Sequence, residues 1–379
     1  MDFELPEEHR LLRDTVLSFS RKEIAPHADD MELAGHFPED LWPKLGSLGI
    51  LGVGIPEEFG GSGLDLLAGV VCIEQIARAS GSVALSYGAH TNLCAQNLYR
   101  NGDERQRQRY LPPLCDGSAL GALAITEPEA GSDAVGMQMR AVRDGDDYIL
   151  NGTKMFITNG PLAETLIIYA KTKPEADGRG ITAFIVERGF EGFSVSRKLE
   201  KWGHKGSPTA ELVLDNCRVP AENVLGAENE GATVMFSGLD SERIFLSGEP
   251  LGIAEEALDL SVSYAKQRKQ FGQAIGEFQM IQSKLADMYT TIEASRLLTY
   301  RAATQWQHGA DVHRDAAAAI LFSAETATKV CLDAMQIHGG YGYLTEMPFG
   351  RMLADAKLLE IGAGTSEIRR MIIARELLK

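Results

Sequence analysis

The apolar positions of the chain change their period twice. Up to about residue 119 they recur at helical spacing. Leu12, Val16 and Phe19 follow Pro6, Glu7 and Glu8, a helix-start signal. Further helices are predicted over 38–49, 64–80, 82–100 and 103–116, around a Gly-rich loop at 52–63. From 120 to 226 the pattern shortens to strands: TLIIYAKT (165–172), ITAFIVE (181–187) and the alternating TAELVLDNCRV (209–219) before Pro220. Asp144-Gly145 and Asn151-Gly152 read as turns on either side of Tyr148, Ile149 and Leu150. Helical spacing returns over 229–268, 276–308, 313–338 and 366–378, with Pro250 expected to kink the first run. The order predicts three domains: helical over 1–119, antiparallel β over 120–226, and a bundle of long helices over 227–379.

Composition narrows the function. The 379 residues carry 37 basic and 53 acidic side chains, a formal net charge of −16. That balance argues against affinity for nucleic acid or an anionic membrane surface, because phosphate binding needs clustered cations. No stretch approaches the ~18 apolar residues of a membrane span, so stable membrane insertion is not expected. The acidic N-terminus, MDFELPEEHR, resembles neither a secretory signal nor an Arg-rich transit peptide, and a cytoplasmic location is expected. Cys72, Cys94, Cys115, Cys217 and Cys331 are scattered, and the histidines lack HxxxH spacing, so neither a disulfide framework nor a metal site is expected.

Five segments are candidates for chemistry. In Ala124–Asp133 (AITEPEAGSD), Gly131 and Ser132 form a turn able to offer N–H groups and a hydroxyl to a phosphate, with Thr126 beside a heterocycle. An ordinary polar loop gives the same pattern. In KMFITNG (154–160), strand alternation puts Phe156 and Thr158 on one face, as a planar cofactor or a plain core requires. Gln336 to Gly342 ends a helix in three glycines, which permits close backbone approach or merely a tight turn. At 360–367 (EIGAGTSE) Thr365 caps the last helix with Glu367 in its first turn, a possible anion site. In SGLDSER (237–243), Asp240, Glu242 and Arg243 interrupt an apolar helix. A carboxylate there is either salt-bridged or a general base.

Together these segments are far more specific than any one of them. The chain resembles the acyl-CoA dehydrogenases over essentially its whole length. AITEPEAGSDAVG (124–136) and QIHGGYGYLTEMPFGRMLAD (336–355) match the two signatures of that family, and RKQFG (268–272) and GTSE (364–367) fall in the expected order. The resemblance implies an N-terminal helical domain, a β-barrel-like middle domain and a C-terminal four-helix bundle that assembles as a homotetramer. It also implies FAD. Ile125, Thr126, Phe156 and Thr158 would face the flavin, and Gly131 and Ser132 its pyrophosphate. Arg268, Phe271, Gln336, Gly339 and Gly340 would hold the rest across a subunit interface, with Thr365 and Glu367 in the same shell. Ser132, Leu239, Asp240 and Arg243 would lie along the acyl-CoA substrate, with Gly362 and Ala363 at its thioester. Many members have Trp where this chain has Phe156.

The resemblance also bears on the subclass. Most straight-chain members carry their base in a Tyr-Glu-Gly-Thr segment, which here reads Gly362-Ala363-Gly364-Thr365. Ala363 cannot take a proton. The members acting on isovaleryl-CoA carry the base in the helix after the β domain, where Glu242 stands, and LSYGAHTNLC (85–94) also resembles them. The expectation is α,β-dehydrogenation of a short branched acyl-CoA, with Glu242 as base and an electron-transfer flavoprotein as acceptor. Citronellyl-CoA or 2-methyl-branched substrates are the nearest alternatives, and a flavin monooxygenase or oxidase of the same fold is a further one.

Overall fold

The computed structural model of the chain describes residues 4–379. Met1–Phe3, the start of the segment read for a targeting signal, lie outside the described residues. The first third is helical: α1 (Glu7–Phe19), α2 (Ala28–Ala34), α3 (Leu41–Ser47), α4 (Leu66–Ala77), α5 (Gly81–Gly88), α6 (Asn97–Asn101) and α7 (Glu104–Asp116). α5 and α6 are one coil, joined through π-helical turns over Ala89–Gln96. Polar side chains fix where these helices start. The Asp65 carboxylate accepts the Ala68 N–H at 2.8 Å, and Asp103 forms a capping box with Gln106. Each such cap stabilises its helix by about 1 kcal/mol.

The strands follow: β1 (Gly121–Ala124), β2 (Arg140–Asp144), β3 (Asp147–Thr158), β4 (Thr165–Lys171), β5 (Ile181–Glu187), β6 (Phe193–Lys198), β7 (Thr209–Pro220) and β8 (Val224–Leu225). They form one sheet in the order β6-β7-β3-β2-β4-β5-β8, with β1 alongside β4. The pairings are antiparallel except that β1 and β2 each meet β4 in parallel. The Asn151-Gly152 turn does not occur. Gly152, at φ 151° and with a Cβ position 2.9 Å from Met139 Cβ, sits inside β3 at a register shift, so the strand absorbs the pair as a bulge. A second irregularity between Lys154 and Ile157 holds Phe156 at φ 62° and breaks the expected alternation through it. β6 escaped the sequence reading because FSVSRK is half-exposed and too polar to stand out.

The last third holds α8 (Gly231–Leu246), α9 (Gly248–Gln267), a small hairpin of β9 (Lys269–Gln270) and β10 (Gln273–Ala274), then α10 (Gln279–Gln307), α11 (His313–His338), α12 (Phe349–Leu359) and α13 (Ser366–Leu377). Pro250 does not kink a long helix. The run breaks at Ser247, and Pro250 falls in the first turn of α9, where its missing N–H goes unneeded.

Apolar side chains tie the three parts together. One core joins Leu45, Ile73 and Tyr87 of the first helices to Phe245, Ile253, Ile337 and Phe349 of the last. Another joins Leu98 and Leu111 to Ile167, Tyr169 and Ile185 of the sheet and Val234 of α8. A buried polar clasp adds to these: His204, in the loop before β7, meets Glu249 of α9 at 2.6 Å and donates its backbone N–H to Asp355 of α12 at 2.6 Å. Among the described residues no helix is long and apolar enough to cross a membrane, and no group of three or more His, Cys, Asp or Glu is placed to hold a metal.

Candidate active site

α8 carries two carboxylates two residues apart, and the fold gives them different environments. Asp240 accepts Arg243 Nη1 at 2.9 Å and faces His313 Nδ1 at 2.9 Å, so it is salt-bridged. Among the described residues Glu242 closes no ion pair. Burial pushes its carboxyl up to about 7, against the pull of the Arg243 and Arg369 guanidiniums. Leu239 is half-buried one turn earlier on the same side of the helix.

The turn between α12 and α13 lies within electrostatic reach of this helix. Gly362 and Ala363 are half-buried, and Ala363 takes a left-handed φ of 54°. Thr365 Oγ1 accepts the Ile368 N–H at 3.3 Å and caps α13, and Glu367 is exposed in its first turn, held low by its own backbone N–H and by Thr365. Nothing in the residue pattern pointed to Arg369, since an Arg-Arg pair in a helix ordinarily faces water. Arg369 is instead fully buried and donates to Leu359 O at 2.8 Å and Gly362 O at 2.6 Å. In a trans peptide the C=O and the following N–H point opposite ways. Arg369 therefore leaves the Ala363 N–H facing away from its own guanidinium, and the backbone bonds of the turn, which start at Ile361, Gly362 and Ser366, leave that N–H unused.

Ile125 and Thr126 emerge half-buried from β1, with Gly131 and Ser132 at the exposed tip of the same loop. The Met155 N–H donates to Thr126 O at 2.8 Å, which brings this loop against β3. Phe156 is 66% exposed beside the half-buried Thr158. A large exposed ring next to hydroxyls and free backbone is a surface for a flat heteroaromatic.

A second group gathers at the far end of the bundle. Arg268, Gly339 and Gly340 line a cleft of about 460 Å³ with Tyr264, Tyr341 and Leu344. The Arg268 guanidinium stacks 5.6 Å over Tyr341 and has no carboxylate partner among the described residues. Gly339 stands at φ 58°, and a Cβ at Gly339 or Gly340 would meet nothing. Gln336 is exposed, and Phe271 is 94% exposed on the nearby hairpin. A bare cation, open backbone and uncovered aromatic rings fit the phosphates and rings of a dinucleotide.

Models of the acyl-CoA dehydrogenase N-terminal, middle and C-terminal domains match residues 6–118, 122–217 and 229–378. The chain belongs to the acyl-CoA dehydrogenase family. It is thus an oxidoreductase with a flavin cofactor. A mitochondrial isovaleryl-CoA dehydrogenase of Solanum tuberosum is 53% identical over 369 residues, 97% of this chain and 90% of the relative. The structure of butyryl-CoA dehydrogenase from Megasphaera elsdenii superimposes with a TM-score of 0.98 at 41% identity, over 100% of both chains. A structure described as the FAD complex of PigA gives a TM-score of 0.96 at 34% identity, over 100% of this chain and 99% of that one. Within an acyl-CoA dehydrogenase, the side chains that sequence reasoning missed are Arg369 and the pair Leu85 and Leu93. The two leucines are half-buried in a coil whose neighbours are almost all buried, Leu85 just before the π-helical turns and Leu93 within them. Such turns favour functional sites.

Proposed function

We propose that the protein catalyses the FAD-dependent α,β-dehydrogenation of a short branched acyl-CoA of the isovaleryl type, with electrons leaving to an electron-transfer flavoprotein. The observation that carries this reading is a half-buried carboxylate at Glu242 that closes no ion pair among the described residues, on the helix beside the turn that carries a side-chain-free Gly362 and a neutral Ala363. A Cβ at Gly362 would meet only Leu358 O, at 3.6 Å, so there is room beside the reacting carbons for a branch.

An acyl thioester gives up its α-proton only when the developing enolate is stabilised. The Ala363 N–H, aimed by Arg369, is the donor this chain supplies to the thioester oxygen. Glu242 removes the α-proton, and its raised pKa makes it a stronger base than an exposed carboxylate. The flavin, when bound, supplies the acceptor for the β-hydrogen, taken as hydride. Ile125, Thr126, Phe156 and Thr158 would hold its ring, and Gly131 and Ser132 its pyrophosphate. Arg268, Phe271, Gln336, Gly339 and Gly340, with Thr365 and Glu367, would hold the remainder in a neighbouring copy. Asp240 stays committed to Arg243 and so orders the stretch along which CoA would lie, together with Ser132 and Leu239.

Apolar side chains uncovered on two long helices support a homotetramer: Tyr289 and Leu297 on α10, Phe322 and Leu332 on α11. The reading is tested with a panel of isovaleryl-, isobutyryl-, 2-methylbutyryl-, butyryl-, octanoyl- and citronellyl-CoA and an artificial electron acceptor. Isovaleryl-CoA is expected to give the highest kcat/KM. A clear preference for butyryl- or octanoyl-CoA would overturn the branched-chain assignment.

A further inference from the structure

The loop of Ile125 and Thr126 has to stay in place while lying half-open at the edge of the sheet. Its anchor is a side chain that the reaction itself does not use. Lys154 is fully buried in β3, and its ammonium donates to Ile125 O at 2.9 Å and to Glu127 Oε1 at 2.9 Å. Glu127 is buried as well. It accepts the Gln138 N–H at 2.5 Å and the Met139 N–H at 3.0 Å, so both of its oxygens are engaged. The Met155 N–H, from the next residue of the strand, holds Thr126 O at 2.8 Å. One ammonium thus ties three pieces of chain together: the end of β1, the start of β2 and the irregular stretch of β3 that carries Phe156.

We propose that Lys154, acting through the Ile125 carbonyl and Glu127, is a positioning residue that fixes the 125–126 segment against the flavin ring. This rests on the flavin-binding reading above. A buried ion pair is weak evidence for net stability, because desolvation offsets much of the attraction. Its yield is geometry. With the ammonium gone, the Ile125 carbonyl loses its partner and the peptide joining Ile125 to Thr126 is free to rotate. The groups facing the ring then shift by enough to alter its surroundings. Burial also pulls the Lys154 amine down to about 8, against the pull of Glu127.

Two variants separate positioning from folding. Lys154→Met removes the ammonium and leaves Glu127 buried. Lys154→Met with Glu127→Gln removes both charges and so avoids a stranded carboxylate. Each is purified beside the wild type, checked by circular dichroism and melting, and loaded with FAD. Visible absorption, flavin dissociation constant and flavin midpoint potential are measured alongside kcat and KM. The double variant is expected to fold, and to show a shifted flavin spectrum and potential, at least tenfold weaker flavin binding and at least tenfold lower kcat, with KM for acyl-CoA within about twofold. A double variant that folds with wild-type spectrum, potential and kcat would overturn the proposal. So would loss of fold in both variants, since the pair would then hold the domain rather than the loop. A wild type that stays colourless and takes up no FAD would sink the flavin reading instead.

Discussion

Arg369 donates to the carbonyl of Gly362 at 2.6 Å, from a helix that begins four residues later. One guanidinium thereby does two things: it orients the Ala363 N–H and it draws on the Glu242 carboxylate. Replacing it with Gln keeps a donor but removes the charge. Glu242 then loses a cation that lowers its pKa, so the pH at which activity rises is expected to move upward. In Arg369→Gln, kcat is expected to fall with FAD still bound. An unchanged pH profile would separate Arg369 from the base.

For Glu242 itself the sign is clear. The carboxyl must be ionised to accept a proton, and it stands at about 7. kcat/KM is therefore expected to climb as pH rises through about 7. Glu242→Gln is expected to keep FAD and substrate binding while losing on the order of 10²-fold or more in kcat. Near-normal turnover would rule out the assignment, and loss of FAD would make Glu242 structural.

Moving the carboxylate tests the pocket. Ala363 already occupies a left-handed φ of 54°, and Gly362 has free space beside it. Glu242→Gly with Ala363→Glu is expected to recover part of the activity of the Glu242→Gly single variant, with preference shifted toward unbranched thioesters. Equal rates for branched and straight substrates would contradict it.

The His204 clasp should make stability pH-dependent. Burial works against its charge, but Asp355 and Glu249 hold the imidazolium above its ordinary pKa. A raised folded-state pKa stabilises fully at low pH, and that contribution is lost as pH rises through it. Glu249 and Asp355, raised chiefly by burial, act in the same direction. The melting temperature is expected to drop as pH passes upward through the His204 pKa. His204→Met should flatten that slope and cost about 3–5 kcal/mol, because it strands Glu249.

Assembly can be read by mass in solution. A tetramer is expected, and Leu332→Asp together with Phe322→Asp, on the uncovered side of α11, should yield smaller species with weakened FAD retention. A wild type that is monomeric and fully active would refute the cross-subunit cofactor site.

Much of this was legible in the residues. Thr365 announced its helix, and the runs at 165–172 and 181–187 became β4 and β5 with their ends nearly unchanged, because β-branched side chains between turn residues leave little choice. Asn151-Gly152 misled, since its local turn preference lost to the long pairing of β3 with β7. The break at Ser247 lay hidden because nothing between Phe245 and Pro250 but a glycine signals an end. Asp240 and Glu242 could not be told apart by spacing. Their difference comes from the Arg243 and His313 contacts of Asp240 and from the burial around Glu242, which only the folded chain creates.

The π-helical stretch Ala89–Gln96 makes chain length a variable in its own right. Each of its turns takes up more residues than an α-turn does, so the coil holds surplus backbone. Deleting a single residue there would let it tighten into ordinary α-helix. The helices on either side would keep their facing, and only the residues inside the stretch would change the direction in which they point. Leu93, inside the stretch, would lose its present facing relative to Leu85. An insertion or deletion in this segment, with no exchange of side chains, would be enough to change which side chains the coil turns toward α8.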